Sequence, residues 1–300
     1  MDSGTWFIGI FVGVAIVLGL GITFVPVYGR WRAYRQAAYL QIDLPRRLER
    51  AVASRLMARE RGGLVGAFVV GGGAMAAFAS GLIDEFDPAL TRLFIIGAVF
   101  AGLGLGTAIA AMTGKKAVDS DGPRVARSRA ASVGDYAAPV ERIGARVSVA
   151  VVVVVFLGIA ISQPPTAGLV VAIGFFAVAS VLTLAVFEMA GRRIVGASQP
   201  AGSTAELVWD DAIRASVLRD LITAPLSLAV YGTVFGLFAT AQNSAGSTAV
   251  TAYVVGGVVL AGLAVTLIAS VLSRPRRYFI TRLWPNLRWS DTADTVTDAA

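Results

Sequence analysis

The chain has 300 residues, of which 56% are hydrophobic and 15% charged, and its formal net charge is +7. This is too little polar surface to cover a water-soluble globule of that size. Cysteine and histidine are both absent, which excludes disulfides, thiolate nucleophiles, imidazole bases and the usual zinc, haem and iron–sulfur ligand sets. The basic residues lie in blocks between long apolar runs, a pattern that favours anionic lipid headgroups over nucleic acid.

Uncharged apolar runs of membrane-spanning length recur along the chain. A hydrocarbon core about 30 Å thick needs roughly 20 residues of helix. Seven runs of about this length contain no Asp, Glu, Lys or Arg, which predicts an all-α polytopic transmembrane bundle. The predicted spans are 5–28, 64–83, 93–113, 147–162, 168–187, 221–241 and 249–272. One N-terminal span and three helical hairpins then form a single membrane domain over 1–290, followed by a polar tail over 291–300.

Lysine and arginine are unevenly shared between the segments that connect these spans. Nine lie in 30–61, seven in 115–146, four in 192–219 and five from Arg274 onward, whereas the alternate loops hold only Arg92. Cytoplasmic loops retain positive charge, so the N-terminus is predicted outside and the C-terminus in the cytoplasm of a plasma-membrane protein. The first span is expected to stay in the mature protein, because Asp2 and no basic residue precedes it.

The first basic segment has the pattern of an amphipathic helix. Leucine and valine recur at every fourth residue from Leu44 to Leu56, and arginines fill the other faces. The segment is expected to lie on the membrane surface, with Arg46, Arg47 and Arg50 binding anionic headgroups. The alternative is a docking site for an acidic partner or a nucleotide phosphate.

Acidic residues follow a helix-start signal in the third basic segment. Ser203 and Glu206 have the spacing of a capping box. Asp210 and Asp211 precede Arg214 by four and three residues, which is typical of ordinary helix ion pairing. A paired-carboxylate site for a metal ion or acid–base chemistry is the alternative.

The stretch over 209–220 contains Trp209, Asp210 and Asp211 at its start and ends in Leu218, Arg219 and Asp220. It resembles a stretch found in uncharacterised multi-span membrane proteins of actinobacteria. The resemblance implies a multi-span membrane protein and no assigned activity.

Small residues recur at every fourth position in the second and third predicted spans. Four-residue spacing keeps them on one helix face, where they allow two backbones to approach closely. We predict that the two spans pack through these stripes. The stripe of the third span is Ala98, Gly102, Gly106 and Ala110, and that of the second is Gly73, Ala77 and Gly81.

Three classes of membrane enzyme need residues that this chain lacks at the required places. Intramembrane aspartyl proteases need two acids inside spans, while rhomboid-type proteases and acid-phosphatase-type lipid phosphatases need a histidine. We therefore expect no enzyme activity, cofactor or metal. The predicted role is a non-catalytic membrane component or accessory subunit whose cytoplasmic helices engage a protein partner. A facilitator or permease for an uncharged small solute is the alternative, with Thr107, Thr183, Thr233 and glycines 71–73 as its candidate groups.

Overall fold

The computed structural model describes residues 3–81, 88–113, 130–162, 167–197, 199, 201–243, 246–272 and 277–285, which leaves the predicted tail and the end of the second predicted span outside the described residues. Within these ranges all regular structure is helical, as the sequence predicts. The helices are α1 Ser3–Ile22, α2 Pro26–Leu40, α3 Arg46–Ala79, α4 Pro88–Thr113, α5 Val133–Tyr136, α6 Pro139–Ser162, α7 Ala167–Gly196, α8 Thr204–Asn243, α9 Ser247–Leu272 and α10 Tyr278–Leu283.

Several of the described helices have the length and apolar character of membrane spans. These are α3, α4, α6, α7 and α8, with the bent pair α1 and α2 as a sixth candidate and a shorter apolar stretch, Ala249–Val259, in α9. Large apolar side chains on the outside of the bundle are exposed, for example Phe7 at 70% and Ile161 at 85%. Such surfaces are stable against lipid tails and costly in water, which supports a multi-pass membrane protein.

The charged ends of these helices lie at one side of the bundle. Close contacts of Gly19 with Leu64 and of Gly62 with Gly106 show that α1, α3 and α4 pack antiparallel in succession. Contacts of Gly104 with Ala224 and of Gly191 with Leu218 continue this arrangement through α8 to α7. We call this charged side the polar layer. It comprises α2, α5, α10, the end of α7 and the N-terminal parts of α3 and α8, residues 46–61 and 204–220.

The first span ends earlier than the sequence predicts. Helix α1 stops at Ile22, and α2 begins at Pro26 with its axis turned by 89°. Proline lacks the N–H that would continue the helix, and the Thr23 hydroxyl instead donates to the carbonyl of Leu20 at 2.7 Å. Residues 26–28 therefore belong to α2 and not to the first span.

Two of the described helices continue from the polar layer into a predicted span. Helix α3 runs without interruption through the Arg-rich segment into the second predicted span, and α8 runs without interruption from Thr204 into the sixth predicted span. With 34 and 40 residues, they are about 51 and 60 Å long at 1.5 Å per residue. This continuity argues against an Arg-rich helix lying on the membrane surface, because the segment continues along the axis of α3.

The bundle has a membrane core and a separate core in the polar layer. In the membrane core, the buried rings of Phe94 and Phe176 lie 5.5 Å apart, and the Phe176 and Phe235 rings 5.9 Å apart. The core of the polar layer contains Tyr136, Trp209 and Phe279, all at most 2% exposed. The polar layer is therefore a packed unit and not a set of loops.

Candidate functional site

A buried carboxylate joins four segments of the polar layer. Asp211 of α8 is fully buried. Its Oδ1 accepts hydrogen bonds from the Tyr136 hydroxyl and from Gln199 Nε2, both at 2.8 Å, and its Oδ2 accepts one from Trp284 Nε1 at 2.8 Å. Because a buried carboxylate is stable only when its oxygens are satisfied, these bonds fix α5, residue 199 and the end of α10 against α8.

The neighbouring Asp210 pairs with arginines from two helices. Arg214 Nε lies 2.9 Å from Oδ2, which confirms the ion pair predicted from their spacing. Arg55 of α3 donates to Oδ1 at 3.0 Å, and Gln199 donates to Oδ2 at 2.9 Å. Within the described ranges, Asp210 and Asp211 do not belong to any group of three or more acidic, His or Cys side chains that could hold a metal ion.

Arginines along α3 bridge to polar groups along α8 in a fixed order. Arg47 donates to Ser203 Oγ at 2.8 Å, and Arg59 donates to Ser216 Oγ at 2.5 Å and pairs with Asp220. Together with the Arg55–Asp210 bridge, these contacts advance in the same direction along both helices, so the two extensions are parallel. Partly exposed ion pairs contribute only about 0–1 kcal/mol each, so their main effect is to fix the register of the two helices.

The helix-start signal before α8 forms a modified capping box. The Glu206 N–H donates to Ser203 Oγ at 3.3 Å, as predicted, but the Glu206 carboxylate accepts from the N–H of Gly202 at 2.8 Å and not from that of Ser203. A complete capping box lies at α5, where the Asp135 carboxylate accepts from the N–H of Ser132 at 2.8 Å. Both devices anchor the connecting segments of the polar layer.

Further side chains tie the connecting segments to α8. Trp209 Nε1 donates to the carbonyl of Asp43 at 2.9 Å, and Arg214 Nη2 donates to the carbonyl of Ala197 at 3.0 Å. Of the groups that hold the polar layer together, the sequence paired Asp210 and Asp211 with Arg214 but assigned no contact in this layer to Tyr136, Gln199 or Trp284. The only local signal near these three was the Ser132–Asp135 spacing, which precedes Tyr136 directly.

The three arginines predicted to bind headgroups are exposed at the start of α3. The apolar part of the helix begins at Gly62, directly after the last charged residue. Measured along the axis from Gly62, Arg50 and Arg46 lie about 18 and 24 Å away, on the side opposite to the apolar part. The headgroup region extends only about 5–8 Å beyond the hydrocarbon core on each side. On a straight helix, Arg46, Arg47 and Arg50 therefore lie further from the apolar segment than the headgroup region is thick, and their contact with headgroups stays a prediction.

The small-residue stripe of α4 lies in the contact with α3, which is the most extensive helix pair of the described bundle. Ala98, Gly102 and Gly106 are buried, and Ala110 is half-buried. A Cβ at Gly66 would lie 2.9 Å from the Gly106 Cα, and the carbonyl oxygen of Gly62 would block a Cβ at Gly106. The two backbones are therefore in direct contact.

The stripe of α3 that makes this contact is not the predicted one. Gly73 is exposed, and a Cβ there would meet no atom within 4 Å. Gly81 is exposed beyond the helix end at φ +74°, and Ala77 is half-buried. The glycines that meet α4 are Gly62 and Gly66. Continued at four-residue spacing, their stripe passes through residues 70 and 74, so 73, 77 and 81 occupy the adjacent face.

The hydroxyls inside the membrane core bond to their own helices. Thr107 donates to the carbonyl of Gly104 at 2.8 Å, Thr183 to that of Ala179 at 2.7 Å and Thr233 to that of Ala229 at 2.8 Å. All three are buried. Ser180 is fully buried, and its Oγ has no hydrogen-bond partner. The threonines are thus already satisfied, whereas Ser180 is not.

Two tyrosines of α2 interact with the acidic residues of α3. The Tyr34 hydroxyl donates to Glu49 at 2.9 Å, and this bond raises the pKa of Tyr34 above its ordinary value. Burial, followed by the charge of Glu60, raises the pKa of Tyr28. Both tyrosines are therefore neutral at physiological pH and act as hydrogen-bond donors.

The chain matches no protein-family model, and no curated protein or solved structure is similar to it.

Proposed function

We propose that this is a seven-span plasma-membrane protein with its N-terminus outside, and that it serves as a non-catalytic membrane component whose polar layer holds a cytoplasmic protein partner. The observation that carries this proposal is the construction of the polar layer. It has its own buried core, a buried carboxylate that joins four segments, and arginine bridges between α3 and α8. A chain that only has to cross a bilayer does not need this second core.

The charge of the exposed helix start indicates the kind of partner. Arg46, Arg47 and Arg50 are exposed at the start of α3, about 18–24 Å from the apolar segment. A cluster of exposed guanidinium groups attracts carboxylates and forms bidentate hydrogen bonds with them. The partner that this end of α3 fits is therefore an acidic surface of a soluble protein.

A facilitator for an uncharged solute is the second candidate, and Ser180 is the observation that favours it. Its fully buried hydroxyl has no hydrogen-bond partner, so a small polar solute that entered the membrane core would find an unused donor and acceptor there. The threonines give this candidate no further support, because their buried hydroxyls already donate to carbonyls of their own helices.

Purification with a charge-reversed helix start tests the partner proposal. The full chain is isolated in mild detergent after in-cell crosslinking, and the crosslinked proteins are identified by mass spectrometry. We expect one stoichiometric soluble protein with the parent chain, and at least tenfold less of it with Arg46→Glu and Arg50→Glu combined, two exposed changes that leave the Arg47–Ser203 bridge intact. Arg192→Glu with Arg193→Glu, an equally exposed basic pair elsewhere in the polar layer, should leave it unchanged.

The same purification separates the two candidate functions. Recovery of the chain without a stoichiometric protein, together with a retained small solute that is lost in Ser180→Ala, would favour the facilitator and contradict the accessory role.

The topology is tested by single cysteines, which have no background because the chain contains none. A membrane-impermeant thiol reagent applied to intact cells should label Ser3→Cys and Ser244→Cys, because these positions are expected outside. Ser128→Cys and Ser290→Cys should be labelled only after the cells are opened. Labelling of Ser128→Cys in intact cells would reject the proposed orientation.

A further inference from the structure

Helix α2 lies across the bundle at the level where the apolar segments end. The Arg61 guanidinium, one residue before that segment of α3, donates to the carbonyl of Thr23 at 2.7 Å, at the end of α1. The 89° bend that follows turns α2 out of the direction of α1. Because α1 alone has 20 residues and spans about 30 Å, α2 need not cross the membrane and instead runs parallel to its surface.

The contacts of α2 with α3 show which edge of α2 faces the membrane. Arg32 pairs with Glu60, which lies just before the apolar part of α3 begins. Tyr34 instead bonds to Glu49, and Arg30 lies 3.9 Å from the same Glu49 carboxylate. Glu60 and Glu49 are separated by about 16 Å along the axis of α3. The edge that carries Arg32 therefore faces the membrane, and the edge that carries Arg30 and Tyr34 faces away from it.

The membrane-facing edge has the composition of a lipid-headgroup contact. Tyr28 lies four residues before Arg32, and Arg35 lies three residues after it. Tyr39 lies four residues after Arg35, so all three side chains share the edge of Arg32. The Arg35 guanidinium lies 5.1 Å from the ring centre of Trp31, which orients its charge. Tyrosine and tryptophan favour the membrane interface, where their rings contact lipid and their polar groups contact headgroups.

This edge continues a surface that is already exposed to lipid. On the outer side of α1, Phe11 and Leu18 are more than 60% exposed, and so is Phe24 at the bend. Arg35, Trp31 and Tyr39 are exposed directly beyond that surface. The opposite side of α2, at Gly29, Ala33 and Ala37, is buried. A lipid leaflet that covers the exposed side of α1 at this depth therefore also reaches this edge of α2.

We propose that the edge of α2 formed by Tyr28, Arg35 and Tyr39, with Trp31 beside it, binds the headgroups of anionic phospholipids. Arg35 supplies the positive charge for the lipid phosphate, and the phenol and indole groups lie in the headgroup region. This assignment replaces Arg46, Arg47 and Arg50 as the lipid contact and does not depend on the proposed protein partner.

Spin labels on the full chain in lipid nanodiscs test the orientation of α2. Single cysteines at Arg35→Cys, Tyr39→Cys, Arg30→Cys and Tyr34→Cys are labelled, and their accessibilities to oxygen and to a water-soluble nickel complex are compared. Labels at 35 and 39 are expected to be deeper than those at 30 and 34 by about 5–10 Å, the burial depth of interfacial helices. Equal depth at all four positions, or the reverse order, would overturn the proposal.

Retention of lipid tests the charge. Three proteins are compared: the parent chain, Arg35→Gln and the matched control Arg30→Gln. Each is purified from vesicles that contain equal amounts of phosphatidylglycerol and phosphatidylcholine, and its bound lipids are counted by native mass spectrometry. Arg35→Gln is expected to retain several-fold less phosphatidylglycerol than the parent, with phosphatidylcholine unchanged, while Arg30→Gln behaves as the parent. Equal phosphatidylglycerol in all three proteins would show that Arg35 does not bind anionic headgroups.

Discussion

Replacing Gly106 with alanine is expected to destabilise the bundle, and Gly106→Leu is expected to prevent its correct assembly. A Cβ at position 106 would collide with the Gly62 carbonyl oxygen and would lie 3.0 Å from the Gly66 Cα. Both obstacles belong to the backbone of α3, so the helices must separate. Overpacking of this kind costs about 1–3 kcal/mol for a small side chain, and the separation also forfeits dispersion contacts along the whole interface, for which lipid offers no hydrophobic replacement.

Gly73→Ala is the matched control for this experiment, because it also adds one methyl group to a glycine of the same two-helix unit. A Cβ at position 73 meets no atom within 4 Å, and alanine is a better helix former than glycine by about 1 kcal/mol. The control should unfold at the parent temperature or above it when the proteins are heated in detergent. If Gly106→Ala and Gly73→Ala unfold at the same temperature, the contact between α3 and α4 is not as close as described.

The sequence predicted one half of this interface and not the other. Four-residue spacing of small residues was sufficient to find the stripe of α4, since any helix that presents Gly102 and Gly106 on one face can approach a neighbour closely. The helix α3 carries small residues on several faces, and spacing alone does not tell which of them turns toward α4. The choice depends on the register of the two helices, in which Gly62 is opposite Gly106.

The sequence also did not predict that α3 is one continuous helix, because this too depends on tertiary packing. The Arg-rich segment before residue 62 and the span over 64–83 were predicted as separate elements, and Gly62 and Gly63 between them have low helix propensity. In the structure both glycines pack against α4, where Leu103 and Thr107 are neighbours of Gly63. Tertiary packing therefore stabilises the helical conformation at a point where the local preference is weak.

The polar layer could be predicted only in its local parts. The Asp210–Arg214 pair is four residues apart, and the Ser203–Glu206 contact is three apart, so both follow from helix periodicity. The bonds that define the buried site join positions 73 and 75 residues apart in the chain. No periodic pattern relates Tyr136 or Trp284 to Asp211, and these contacts become visible only when the helices are assembled.

Replacing Asp211 with alanine is expected to lower the stability of the polar layer more than any exposed substitution. The change leaves the Tyr136 hydroxyl, Gln199 Nε2 and Trp284 Nε1 without this buried acceptor. A hydrogen bond to a charged group contributes about 1.5–3 kcal/mol, and a buried donor without a partner costs about 1–3 kcal/mol. We expect a loss of about 3 kcal/mol or more by thermal unfolding in detergent. Glu188→Gln, which weakens the exposed pair with Arg146, should cost about 1 kcal/mol or less.

Asp211→Asn separates the role of the charge from that of the geometry. Asparagine can keep its oxygen at the Oδ1 position, where it still accepts from Tyr136 and Gln199, but its amide nitrogen then faces the indole N–H of Trp284. Two donors in contact repel each other. Trp284→Phe removes one of them, so the double variant is expected to be more stable than the sum of the two single changes predicts, by about 1 kcal/mol or more. Strict additivity in this double-mutant cycle would show that the indole of Trp284 does not donate to Asp211.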